Sequence, residues 1–301
     1  MILTPPRPFH RFALLLSVCW LGSHARAAVT ISDAEYEGLA QFKITTPEAT
    51  WFYDKSGGGF SRLIDRDGHD WISFHRDIGH DLNPGSAAAG WRGMPQMLAG
   101  DGRLDHDGGR PGFDACTSTV LPGNVIRSVT KSGRWAWTWR FTDTHAVFTM
   151  EKTNVDDDLW YFLYQGPIGG KFSPPTHFWG TSAGGPRRET PDHKRAGEEI
   201  TGRWRWVYFG DDARNHTLIL AQIQPDAPQC TFSYMGSTSR AMGIKSPDGM
   251  TVFGFGRNLG MHQTFSGTQH GFVVGLVQNP PKTLPFHTEM ARTVEQWTGE
   301  K

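Results

Sequence analysis

The sequence predicts an all-β protein, a large twisted antiparallel β-sandwich with few helices. Three observations carry this. Short apolar or alternating segments recur along the chain. Gly-rich and Asp-Gly turns separate them, and these residues reach positive φ at low cost. No internal repeat of the length a propeller blade needs is present, which leaves a sandwich or barrel.

The strand segments run as follows. Gln41-Phe42-Lys43-Ile44 and Thr50-Trp51-Phe52-Tyr53 come first. The turn Asp54-Lys55-Ser56-Gly57-Gly58-Gly59 divides the second from the next strand, and Asp65-Arg66-Asp67-Gly68 divides the pair after it. In the stretch from Arg134 to Phe141, Trp135, Trp137, Trp139 and Phe141 alternate with Ala136, Thr138 and Arg140. That period of two marks a strand with one aromatic face. Ala146 to Met150, Trp204 to Phe209 and Thr217 to Ala221 follow, and Met250 to Phe255 and Gly271 to Val277 read as more fully buried strands. One helix is expected, from His287 to Trp297, where Met290, Val294 and Trp297 recur at i, i+4 and i+7.

The first 27 residues read as a secretory signal peptide. Arg7 and Arg11 precede an apolar run from Phe12 to Leu21, and Ala25-Arg26-Ala27 supplies a small-x-small cleavage pattern. The run is about ten residues, whereas a membrane span takes about 20. The expected product is one exported domain, residues 28–301, secreted or periplasmic and off the membrane after cleavage. Cleavage removes Arg7, Arg11 and Arg26 and no acids, taking the formal net charge from 0 to −3. A strongly basic nucleic-acid surface is thereby excluded. Of three cysteines, Cys116 and Cys230 remain. One disulfide and two separately buried thiols are both compatible with the spacing.

Eleven of the 12 tryptophans lie beyond the leader. An indole offers a flat apolar face and one donor, which suits the C–H face of a sugar ring. The passage Thr50-Trp51-Phe52-Tyr53-Asp54-Lys55-Ser56-Gly57-Gly58-Gly59-Phe60, continuing through Ile64-Asp65-Arg66-Asp67-Gly68-His69-Asp70-Trp71-Ile72, resembles the opening strands of galactose-mutarotase-like β-sandwiches. That superfamily includes polysaccharide lyases and glycoside hydrolases. The chain as a whole is similar to secreted bacterial proteins of polysaccharide-degrading organisms. The resemblance implies a concave sheet face that binds a saccharide. It carries over no family residue.

Three clusters offer chemistry. His75 lies just past a strand in Ser73-Phe74-His75-Arg76-Asp77-Ile78-Gly79-His80-Asp81, with Trp91 and Arg92 nearby in sequence. Histidine is poised for proton transfer near neutral pH, and a guanidinium can fork onto a carboxylate. In the second cluster Trp160, Phe162 and Tyr164 share one strand face and Tyr161, Leu163 and Gln165 the other, before a Gly/Pro turn ending at Lys171. The third, Ser173 to Gly180 with Gly184 to Arg188, reads as an aromatic and basic loop containing His177 and Trp179, suited to the rim of an anionic glycan site. Solvated loops and satisfied core residues remain the competing readings of all three.

No cofactor fingerprint, P-loop or nucleophile elbow occurs, and no cofactor is expected. No metal site is expected either. His75 with His80, and Asp105-His106-Asp107, match no ligand spacing of known mechanism. Asp156-Asp157-Asp158 reads as an acidic turn rather than a calcium loop.

The expected partner is a polysaccharide or oligosaccharide. β-Elimination from a uronate needs a group to neutralise the carboxylate, a base for the C5 proton and an acid for the leaving oxygen. Arg92 or Gln165, His75 or His177, and Tyr164 are the respective candidates; Trp91, Lys171 and Trp179 would bind substrate. A glycoside hydrolase would need a carboxylate pair, for which Glu151, Glu198, Asp211 and Asp212 are available, in settings without an evident cause for a raised pKa. The Glu189 to Glu199 stretch looks solvated. The expectation is a lyase first, then a hydrolase or a non-catalytic saccharide binder, with a mutarotase-type epimerase last.

Overall fold

In the computed structural model, residues 28–76, 89–97, 108–153, 159–170, 173, 175–190, 199–235, 249–281 and 284–299 are described. Residues 1–27, expected to be a signal peptide, and His80, Asp105 to Asp107, Asp156 to Asp158, Lys171 and Glu198 lie outside the described residues.

The strands in chain order are β1 (Thr30–Tyr36), β2 (Leu39–Thr45), β3 (Ala49–Asp54), β4 (Phe60–Asp65), β5 (Cys116–Leu121), β6 (Val125–Thr130), β7 (Ala136–Phe141), β8 (Ala146–Lys152), β9 (Phe162–Gly166) and β10 (His177–Thr181). They continue with β11 (Gly184–Arg187), β12 (Ile200–Arg203), β13 (Trp206–Asp211), β14 (His216–Gln222), β15 (Gln229–Met235), β16 (Met250–Phe255), β17 (Arg257–Asn258), β18 (His262–Gln263) and β19 (Gly271–Gln278). One helix, α1 (Phe286–Thr298), follows.

A nine-stranded sheet, ordered β11-β10-β13-β14-β19-β8-β7-β6-β5, forms one layer. Two four-stranded sheets, β1-β2-β3-β4 and β12-β15-β16-β9, form the other. Every pairing is antiparallel. The short segment Gly93-Met94 joins the two smaller sheets. Phe60 N donates to Met94 O at 2.7 Å, while Gly93 and Gln165 exchange backbone hydrogen bonds at 2.9 and 3.0 Å.

Aromatic side chains fill the space between the layers. β7 behaves as its alternation predicts: Trp137, Trp139 and Phe141 are buried and Arg140 is exposed. Trp139 packs edge-on against Phe60 with ring centroids 4.8 Å apart, which joins the long sheet to the first small one. Phe209 against Phe232, at 5.4 Å, does the same for the second. A buried polar chain accompanies them. Trp137 Nε1 donates to the Tyr53 hydroxyl (3.0 Å), which donates to Gly58 O (2.7 Å) and lies 2.7 Å from Ser128 Oγ. Satisfied in this way, the hydroxyl avoids the desolvation cost of a lone buried donor.

The outer face of the nine-stranded sheet is covered by α1, through Phe286, Met290, Val294 and Trp297 against Phe178, Tyr208, Ile219 and Val273. Nine of the eleven tryptophans from residue 28 onward are buried; Trp91 and Trp297 are intermediate. Most therefore serve as core volume rather than sugar platforms. Cys116 and Cys230 are both buried, and no disulfide joins them.

Two local expectations differ. His177 to Gly180, expected as a loop, belong to strand β10 (His177–Thr181), all five residues of which are buried. It has core on both sides, Phe178 facing α1 and Trp179 facing the inner layer, so no alternation marks it. The Asp65-Gly68 turn leads only to an isolated bridge between Ile64 and Asp70, without a second full strand.

Candidate active site

The sheet β12-β15-β16-β9 turns Phe162, Tyr164, Phe253 and Phe232 inward to the main core. By the two-residue period, Leu163 and Gln165 of β9, Val252 and Gly254 of β16, and Thr231 and Ser233 of β15 take the other face. Tyr161, just before β9, joins Leu163, Val252, Met235 and Met250 there, with Trp91 packed against them.

Gly254 determines what lies on this face. A Cβ there would stand 2.7 Å from Cβ of Arg257 and 3.0 Å from its Cδ. Lacking one, Gly254 lets the chain turn back at Gly256 (φ 69°) and lay Arg257 across the sheet. The fully buried guanidinium donates through Nη1 to Val252 O (3.2 Å) and Thr231 O (3.3 Å), and through Nη2 to Glu199 Oε1 at 2.5 Å. Burial lowers the Arg257 pKa, and Glu199, with a side chain 9% exposed, acts against that.

A second guanidinium comes from the segment that docks against the β3–β4 hairpin. Arg110 N donates to Gly57 O at 3.0 Å, and a Cβ on Gly57 would meet Arg110 O at 2.1 Å. The triple glycine of the hairpin thus serves a close backbone approach as well as a turn. Nη2 of Arg110 donates to Gly90 O (3.2 Å), and its guanidinium carbon lies 4.5 Å from the Phe113 ring centre. Burial lowers its pKa to about 10, an effect that nearby Tyr161 opposes.

Tyr161 stands in the field of both arginines. Burial raises its pKa, and Arg257 and Arg110 pull it down. Its hydroxyl is buried and makes no hydrogen bond with any described residue. Among the described residues the cluster brings together two guanidiniums and one carboxylate. It can attract an anionic group and offer a phenolic proton beside it.

The residues expected from sequence divide between this face and the core. Trp91 and Gln165 come together here, through the Gly93–Gln165 pairing and the packing of Trp91 on Tyr161 and its neighbours. Arg92 is fully buried and ties Ser73 O (3.1 Å) to Gly249 O (3.2 Å). Tyr164 points the opposite way from Tyr161, and its hydroxyl donates to Trp71 O at 2.6 Å inside the core. His177, 2% exposed, accepts from Ser173 N (3.1 Å) and meets the Tyr234 hydroxyl at 3.5 Å. Trp179 is wedged against Phe232 and Trp204, with Arg187 over its ring. His75 alone of these is well exposed, its side chain at 44%. It pairs with Glu37 (3.0 Å), and its backbone N–H reaches Ala89 O, four residues before Gly93.

Sequence reasoning did not single out Arg110, Arg257 or Glu199. Tyr161 it placed on the correct strand face without a role. Away from this face, Asp65, Asp67 and His216 are the described residues whose ligand-type atoms converge.

Neither a family model nor a curated protein matches the sequence. Solved structures do match. The protein HI1317 superposes with a TM-score of 0.51 at 11% identity, over 83% of this chain and 100% of its own. The mutarotase-type protein YeaD of Salmonella typhimurium gives 0.50 at 8%, over 82% and 94%. The chain has a galactose-mutarotase-like β-sandwich fold. A Paenibacillus xanthan lyase superposes less well, at 0.47 and 12% identity, over 88% of this chain and 26% of that one. Identities this low establish fold alone.

Proposed function

We propose that this is a secreted carbohydrate-active protein that cleaves a uronate-containing polysaccharide by β-elimination. One observation supports this above the others: the buried Tyr161 hydroxyl, without a protein partner among the described residues, lies within the electrostatic reach of both Arg110 and Arg257 on the outer face of a sheet.

In this reading the two guanidiniums hold the uronate carboxylate and stabilise the charge that develops on it, strongly so in a desolvated setting. A base removes the C5 proton, the electron pair forms the C4–C5 double bond, and the C4–O bond breaks. Tyr161 gives its proton to the departing oxygen. We assign the base to His75, whose side chain is 44% exposed; Glu37 at 3.0 Å would stabilise the imidazolium that forms. Tyr161 and Arg257 expose no surface, so glycan entry must uncover them. A hydrolase is less well supported. Among the described residues the cluster holds one carboxylate, Glu199, ion-paired with Arg257, whereas hydrolysis usually calls for a pair of carboxyl groups.

The test is to incubate the purified mature chain with a panel of uronate polysaccharides, following the ultraviolet absorbance of unsaturated uronate and the release of reducing ends together. Rising absorbance supports elimination. Reducing ends without absorbance would replace it by hydrolysis, and silence in both, with retardation in a glycan-affinity gel, by binding alone.

A further inference from the structure

We propose that Asp65, Asp67 and His216 bind a divalent cation of the zinc class, at a site separate from the Arg110–Tyr161–Arg257 face. Asp65 ends β4, Asp67 sits in the turn that follows, and His216 opens β14 in the opposite layer. His216 Nδ1 lies 3.3 Å from Asp67 Oδ2 and 3.7 Å from Asp65 Oδ2. The imidazole is nearly sealed, its side chain 4% exposed, yet Nδ1 makes no hydrogen bond with either oxygen. A buried ring nitrogen touching two carboxylates without a bond to them faces a position where a cation belongs.

The geometry suits a small ion. A cation about 2.1 Å from each atom of these two pairs would subtend roughly 100–125°, around the tetrahedral angle of zinc sites with nitrogen and oxygen ligands. Imidazole ligation disfavours calcium and magnesium, which take oxygen.

Charge points the same way. The Asp65 side chain has no exposure, and no Lys or Arg of the described residues pairs with it. Arg214 is close, but its Nη1 lies 2.7 Å from His69 Nε2. Since Arg can only donate, His69 Nε2 accepts, which leaves Nδ1 to donate toward Asp65 Oδ2 (3.3 Å). Trp71 Nε1 donates to the same oxygen at 3.0 Å, and backbone N–H groups of Asp67 and His69 hold Oδ1, each at 2.9 Å. Asn215 Nδ2 donates to Asp67 Oδ2 at 3.0 Å. Carboxylates oriented by such outer partners are characteristic of metal sites.

The experiment uses the full mature chain, stripped with a chelator and titrated with Zn²⁺ by calorimetry, with Ca²⁺ as control. Metal content and thermal midpoint are measured in parallel. We expect one Zn²⁺ per chain, a raised midpoint and little response to Ca²⁺. His216→Ala should weaken Zn²⁺ binding at least about tenfold. The half-exposed Asp67→Asn should do so too, and serves if the histidine variant does not fold. Absence of stoichiometric Zn²⁺ binding would overturn the site. So would equal binding by both variants, which would place the ion on other histidines.

Discussion

Arg257 lies directly over Gly254, its Cβ 2.7 Å from where a Gly254 Cβ would be. The atoms in conflict belong to the rigid start of the side chain, so Gly254→Ala cannot be absorbed by a rotamer change. Overpacking of this kind costs about 1–3 kcal/mol. Urea denaturation should show a lowered midpoint with an unchanged slope.

The two tyrosines of the β9 segment should separate cleanly. Tyr161→Phe deletes a buried hydroxyl that bonds to no described residue, so stability should hold or rise by about 1 kcal/mol. If Tyr161 is the acid, turnover on uronate polymer should fall by about a hundredfold or more. Tyr164→Phe strands the Trp71 carbonyl in the core and should lose about 1–2 kcal/mol while turnover stays. The reverse pattern would return the acid to Tyr164.

Acid should weaken the fold through His145. Burial, with Arg140 adding to it, lowers its pKa from 6.5 to about 4, and the ring stacks on Trp297 at 4.9 Å. Between those values the unfolded chain binds a proton that the folded chain refuses. Stability therefore rises with pH across the window and is lost as pH falls from 6.5 toward 4. His270 and His287 shift in the same direction through burial. The difference in thermal midpoint between wild type and His145→Asn, measured across the window, isolates the one residue.

Thiol titration gives a further check. Cys116 and Cys230 are buried, and burial lifts the Cys230 thiol to about 12. Native protein should leave both unreacted. In denaturant the mature chain should titrate as two thiols; a third would mean that Cys19, and so the leader, is retained.

The sandwich was legible because its signals are local: the alternation of β7, the glycine turns and the Met290-Val294-Trp297 spacing. β10 was not, since Phe178 and Trp179 both find apolar surroundings and leave no alternation to read. Along β9 the period of two separated Tyr161 from Tyr164, but periodicity does not say which face meets the core. Glu199 looked solvated among charged neighbours, and only the return of the chain at Gly256 brings Arg257, 58 residues away, onto it. Large aromatic residues suit a core as well as a sugar, so tryptophan content could not place the site.

The docking of α1 on the outer face of the nine-stranded sheet has a consequence for how the chain is made. Tyr208, Ile219 and Val273 stay uncovered until Phe286 to Trp297 have been synthesised. Folding that proceeds from the N-terminus can assemble the inner layers early, but the apolar back of the sheet waits for the last helix. A chain halted before Phe286 would present that surface to its neighbours, and aggregation would compete with completion.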